Sequence, residues 1–103
     1  MKKTIIKHGS DRKIQVIIDN LPEGKTMKDV DFNVTFSAGG SSVSFTKSAL
    51  KNPEGDLYIA PLSTKKLERG DLWMNVEVLI PDPDFEDNIR HEYHEVSLNA
   101  VIV

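Results

Sequence analysis

Leu72-Trp73-Met74-Asn75-Val76-Glu77-Val78-Leu79-Ile80 alternates between two kinds of side chain. Leu72, Met74, Val76, Val78 and Ile80 fall on one side of an extended backbone, and Trp73, Asn75, Glu77 and Leu79 on the other. A period of two places one apolar face on a core and is the pattern of a half-buried strand. The acidic stretch Pro81-Asp82-Pro83-Asp84-Phe85-Glu86-Asp87-Asn88 follows, in which two prolines fix φ and turn residues accumulate. A second alternating run then reaches the C-terminus, polar at Arg90, Glu92 and His94 and apolar at Val96, Leu98, Ala100 and Ile102. Together these read as a long β-hairpin closing an antiparallel sheet.

The same period recurs upstream. Ile14, Val16 and Ile18 share a face in the run from Arg12 to Asp19, and Val30, Phe32, Val34, Phe36 and Ala38 share one in the next. Gly39-Gly40-Ser41 turns the chain into Val43 and Phe45, giving a hairpin, because glycine accepts positive φ without a Cβ clash. Asn52-Pro53-Glu54-Gly55 reads as a further turn before Leu57-Tyr58-Ile59-Ala60, and Pro61 is expected to end that strand or place it at an edge. Ser63 to Gly70 has helical punctuation, with Ser63 or Thr64 as a cap and Gly70 as a stop, and predicts a one-turn crossover. A similar short turn is expected at Thr26-Met27-Lys28-Asp29.

With Lys3 to Lys7 as a first edge strand, about seven short strands at regular spacing predict an all-β protein. An immunoglobulin-like antiparallel β-sandwich is the first expectation and a partly open barrel the second. The 103 residues form one domain over positions 1–103, with no internal repeat.

Composition narrows the function classes. A net charge of -3 with interspersed signs lacks the basic excess of a phosphate-binding surface, so no nucleic-acid partner is expected. The absence of cysteine removes disulfide and thiolate chemistry and leaves the compartment open. Only Ile5 and Ile6 follow the lysines at the start before Lys7, so no ordinary export signal is expected there. No apolar run approaches the ~20 residues of a membrane-crossing helix, and no membrane partner is expected.

Four segments invite a chemical reading. His91-Glu92-Tyr93-His94 has two histidines about a glutamate, but a helical zinc motif needs them four apart, and in a strand a spacing of three sends them to opposite faces. Asp82, Asp84 and Asp87 offer oxygen ligands to calcium, yet the positions where an EF-hand loop wants glycine and glutamate hold Asp87 and Tyr93. His8, Ser10 and Asp11 contain the residue types of a nucleophile set without an elbow or a positioned base, and read as a turn. Gly39-Gly40-Ser41-Ser42 lacks the lysine and helix of a phosphate loop. No catalytic residue and no cofactor is therefore expected. Trp73 and Tyr93 lie on faces that the patterning leaves open, and exposed aromatics are enriched at protein interfaces. Edge strands offer a second route to assembly, by strand addition.

Much of the chain resembles a known family, the short immunoglobulin-like domains at the N-termini of tailed-phage baseplate upper proteins and related virion proteins. The resemblance runs through Lys7-His8-Gly9-Ser10-Asp11, Asp29-Val30-Asp31-Phe32-Asn33-Val34-Thr35-Phe36 and Leu57-Tyr58-Ile59-Ala60. It continues through Leu62-Ser63-Thr64, Leu67-Glu68-Arg69-Gly70-Asp71-Leu72 and Ile80-Pro81-Asp82-Pro83-Asp84-Phe85-Glu86-Asp87-Asn88-Ile89-Arg90. It implies a non-enzymatic virion structural protein, in the tail, baseplate or capsid, assembled in the host cytoplasm. Its partners would be other virion proteins, with copies of itself as a further option. The rival expectation is a cell-surface adhesion or carbohydrate-binding module, in which aromatic rings stack on sugars and the acidic loop holds calcium.

Overall fold

The two most regular alternating runs form the centre of the larger sheet. A computed structural model describes residues 3–18 and 21–103. Its strands are β1 (Thr4–Ile6), β2 (Asp11–Val16), β3 (Asp31–Ala38), β4 (Ser41–Thr46), β5 (Lys51–Glu54), β6 (Leu57–Ser63), β7 (Gly70–Pro81) and β8 (Ile89–Ile102). They make a five-stranded sheet in the order β1-β8-β7-β3-β4 and a three-stranded sheet in the order β2-β6-β5. The described residues are all-β apart from turns and the short 3-10 turns Lys47–Ala49 and Thr64–Lys66.

Phe32, Val34, Phe36 and Ala38 of β3 and Leu72, Met74, Val76, Val78 and Ile80 of β7 are buried, as alternation requires. They face Val16 of β2 and Tyr58, Ala60 and Leu62 of β6 in one core. Phe32 meets Tyr58 edge to face across the two sheets, with ring centroids 5.2 Å apart. β3 and β7 are antiparallel with Val34 opposite Val76, and β7 and β8 are antiparallel with Val76 opposite His94. β1 instead runs parallel to the end of β8, Thr4 opposite Ala100.

Eight strands replace the seven of the pattern reading because Asn52 and Pro53, expected in a turn, belong to β5. The turn sits at Gly55-Asp56, and Asn52 donates through Nδ2 to the carbonyls of Gly55 (3.0 Å) and Leu57 (2.8 Å). Pro61 does not end its strand either: β6 is the middle strand of its sheet and continues to Ser63. β5 pairs with β6 only at Leu57 and Ile59, so Pro61 lies where β6 has one neighbour, in effect an edge. The strand read from Arg12 ends at Val16, and its predicted end at Asp19 lies outside the described residues, as do Met1 and Lys2 at the start.

The crossover is a single 3-10 turn, but its polar residues act differently than expected. Ser63 makes no side-chain cap, and Gly70 opens β7 rather than stopping the turn. Thr64, fully buried, accepts from the backbone N–H of Gly9 (2.8 Å) and donates to the carbonyl of Ser10 (2.8 Å). His8 Nε2 lies 2.8 Å from the carbonyl oxygen of Leu67. His8, Gly9 and Ser10 thus tie the first loop to the crossover. The β3–β4 tip closes onto the same segment. Gly40 N–H donates to Glu68 Oε2 (2.7 Å), and the hydroxyl of Ser41 accepts from Glu68 N–H (2.7 Å).

A candidate interaction face on the five-stranded sheet

Alternate residues of β3, β7 and β8 project from one outward face. Cross-strand register sets them in rows: Ser37, Trp73 and Ser97; Thr35, Asn75 and Glu95; Asn33, Glu77 and Tyr93; Asp31, Leu79 and His91. Trp73 and Tyr93 therefore share this face, two rows apart, with 41% and 68% of their surfaces exposed. Serine and threonine continue the face across β3 onto β4, where Ser44 hydrogen-bonds Thr35 (2.9 Å).

Glu77 is the hub of the face. It accepts from Tyr93 Oη (2.7 Å) at Oε2 and from Asn33 Nδ2 (3.3 Å) at Oε1, while His91 Nδ1 lies 3.4 Å from Oε2. The Tyr93 hydroxyl, followed by Asn33 and His91, holds the Glu77 carboxyl below its ordinary pKa, against the effect of burial. The same bond raises the Tyr93 phenol. His91 Nε2 reaches Asp87 Oδ2 (3.1 Å), so one imidazole joins the acidic loop to the sheet. Its pKa is raised by Asp87 first and Glu77 second, and Asp87 is lowered in return, mainly by His91. The arrangement fixes charges in place. The phenol is held further from ionisation than a free tyrosine, and both histidine nitrogens face carboxylates.

The acidic loop does not gather its three aspartates around a common point. Asp82 Oδ1 accepts from Asp84 N–H (3.0 Å) and Asp82 Oδ2 faces Arg90 (3.6 Å), whereas Asp87 accepts from Ile89 N–H (3.1 Å) and His91. Among the described residues no group of three or more His, Asp or Glu is placed to hold a metal ion. His91 and His94 point to opposite sides of β8: His91 to the outward face, His94 toward Glu92 (3.6 Å). Phe85 of the same loop is 47% exposed.

A further position departs from the patterning. Val96, placed on the apolar side of the last strand, is exposed although its partner Met74 is buried. The opposing sheet has only three strands and does not reach it. On the same side of β8, Arg90, Glu92 and His94 form a polar row, Arg90 Nε lying 3.1 Å from Glu92. Sequence reading missed Glu77 as the link between Asn33, Tyr93 and His91, because it depends on the register of three strands. The available signal was a carboxylate on an outward row beside an exposed aromatic.

Compared with family models, with curated proteins and with solved structures, the chain has no significant match.

Proposed function

We propose that this protein is a non-enzymatic virion structural component of a tailed phage, an immunoglobulin-like β-sandwich that docks on other virion proteins. The observation that carries the docking role is the shared face of Trp73 and Tyr93: two exposed aromatics on a broad sheet, bordered by short polar side chains and braced by Glu77. Hot-spot residues of protein interfaces are enriched in tryptophan and tyrosine, and a rigid sheet presents them with little entropy left to lose.

The strand order supports the immunoglobulin-like reading. Sandwiches of that kind place their second, fifth and fourth strands (B, E and D) in one sheet and G, F, C and C′ in the other. Here β2-β6-β5 match the first set and β8-β7-β3-β4 the second, with β1 beside β8. The disulfide that links the sheets in antibody domains has no counterpart, since the chain has no cysteine.

The decisive experiment is peptide mass spectrometry on purified particles from the source culture, with copy number scaled to the major capsid protein. A count near that of the capsid protein places the chain on the shell. A few to a few tens of copies place it in the tail or baseplate. Absence from particles together with recovery in host envelope fractions overturns the virion reading in favour of the adhesion or carbohydrate-binding module, in which the exposed Tyr93 ring beside Glu77 would be the sugar contact.

A further inference from the structure

The second outward face of the sandwich holds a hollow whose lining is chemically opposite to the Trp73 face. On the three-stranded sheet, a hollow of about 620 Å³ is lined by Lys13, Lys51, Asn52, Pro53, Ile59 and Pro61, with no carboxylate. Register explains its shape: Lys13 of β2 is opposite Pro61, and Lys51 of β5 is opposite Ile59, so two lysines flank an apolar strip of β6. Neither lysine side chain has an ion pair or hydrogen bond among the described residues.

The face of the five-stranded sheet carries the complement. Trp73 is its exposed indole, and Glu95, one row away, lacks an ion pair among the described residues. Nearby, Asp71 is paired with Lys3 (2.6 Å), and Glu77 is occupied by its three neighbours. An acidic aromatic face and a basic apolar groove therefore lie on opposite sides of one molecule. Proline rings and aliphatic lysine stems are good surfaces for an indole, and ammonium groups are favourable over its ring.

We propose that the Trp73 face of one copy docks into the Lys13–Lys51 groove of a second copy, with Glu95 set against the two lysines. This deepens the docking role above and rests on it, since it names the occupant of the Trp73 face. The contact is head to tail. Each copy keeps one face and one groove free, so copies add in sequence and either close into a ring or extend as a filament. A molecule measuring 45 × 29 × 27 Å has room on such a face for the roughly 800 Å² per partner of an ordinary stable interface.

Sedimentation velocity over a concentration series, at low and at high salt, tests the proposal. The intact chain is expected to form species larger than a dimer that dissociate as salt screens the charges. Trp73→Ala alone and Lys13→Glu with Lys51→Glu are each expected to weaken self-association by about tenfold or more. An equimolar mixture of these two variants is expected to stop at a 1:1 heterodimer, because it contains only one competent face and one competent groove. If Trp73→Ala fails to fold, Glu95→Lys takes its place: weak alone, it is expected to regain assembly when mixed with the double lysine variant, whose groove is now acidic. An intact chain that stays monomeric to about millimolar concentration overturns the proposal. So does self-association that the groove substitutions leave unchanged. In either case, detection of the chain in particles leaves the virion role standing. Self-association of the expected kind by a chain absent from particles removes that role and keeps the contact.

Discussion

Lys47 shows how one side chain can close the end of a sandwich. Its ammonium donates to the carbonyls of Met27 (2.9 Å), Lys28 (3.2 Å) and Val30 (2.7 Å), and it sits 5.5 Å from the Phe32 ring centre and 5.8 Å from that of Tyr58. Three donors thus meet three acceptors on a loop that Met27 and Val30 also anchor in the core. Lys47→Met keeps the stem and removes the donors, and is expected to cost about 1.5–3 kcal/mol in urea unfolding. A loss below about 0.5 kcal/mol would show that water replaces the ammonium without penalty. His91 carries a different expectation. Its folded pKa lies above 6.5, so the stability it contributes is complete below that value and is lost as pH rises through the raised folded value. Glu77 and Asp87 are lowered, so their share is present above the ordinary 4.5 and 3.8 and fades as pH falls through the lowered values. The stability difference between the intact chain and His91→Gln should therefore be largest between about pH 5 and 6.5 and shrink at alkaline pH. A stability difference that stays constant from about pH 5 to alkaline pH would remove this bridge from the stability of the loop.

The β3–β4 hairpin illustrates what an element demands beyond its strands. Gly39 adopts φ +60°, and a Cβ there would lie 2.8 Å from Cβ of Glu68. Gly70, at φ +142°, would bring its own Cβ to 3.2 Å from Gly39 N. The two glycines let the tip and the crossover touch. Gly39→Ala is expected to destabilise by about 1–3 kcal/mol, from left-handed strain plus the displaced Glu68, as read by thermal or urea unfolding. An unchanged midpoint would mean the tip moves freely away from the crossover. The turn itself is legible in Gly39-Gly40-Ser41; its latch to Glu68 is not, because residues 28 apart in sequence make it. The same division runs through the whole chain. Strict alternation in β3 and β7 shows which side enters the core. β5 is hidden because Asn52 and Pro53 are turn formers that only pairing with β6 makes extended. Val96 and Phe85 are apolar yet exposed because burial depends on how far the opposite sheet extends, which no local pattern records. At the candidate site, the openness of Trp73 and Tyr93 follows from their parity, whereas their common face and the Glu77 bridge need the β7–β8 register.

At the scale of the molecule, β7 and β8, of 12 and 14 residues, are much longer than the strands that cover them. Their length accounts for a 45 Å long axis and a radius of gyration of 14.7 Å, above the ~13 Å of an ordinary domain of about 100 residues. The other large-scale feature is the parallel pairing of β1 with the end of β8, extended by bonds from Val103 N to Ile6 O and from His8 N to Val103 O, both 2.9 Å. Tension applied at residues 3 and 103 would enter this ladder at opposite ends, at the start of one strand and the finish of the other. All its bonds would then share the load in shear. Tension between residues 33 and 46 would instead peel β3 from β4 one pair at a time, starting at the open end of that hairpin. Single-molecule pulling should give a distinctly higher rupture force for the first geometry, and equal forces would deny the ladder this role. With the ladder intact, pull along the chain is borne by the seam joining its first and last strands, and the two sheets behind it stay folded.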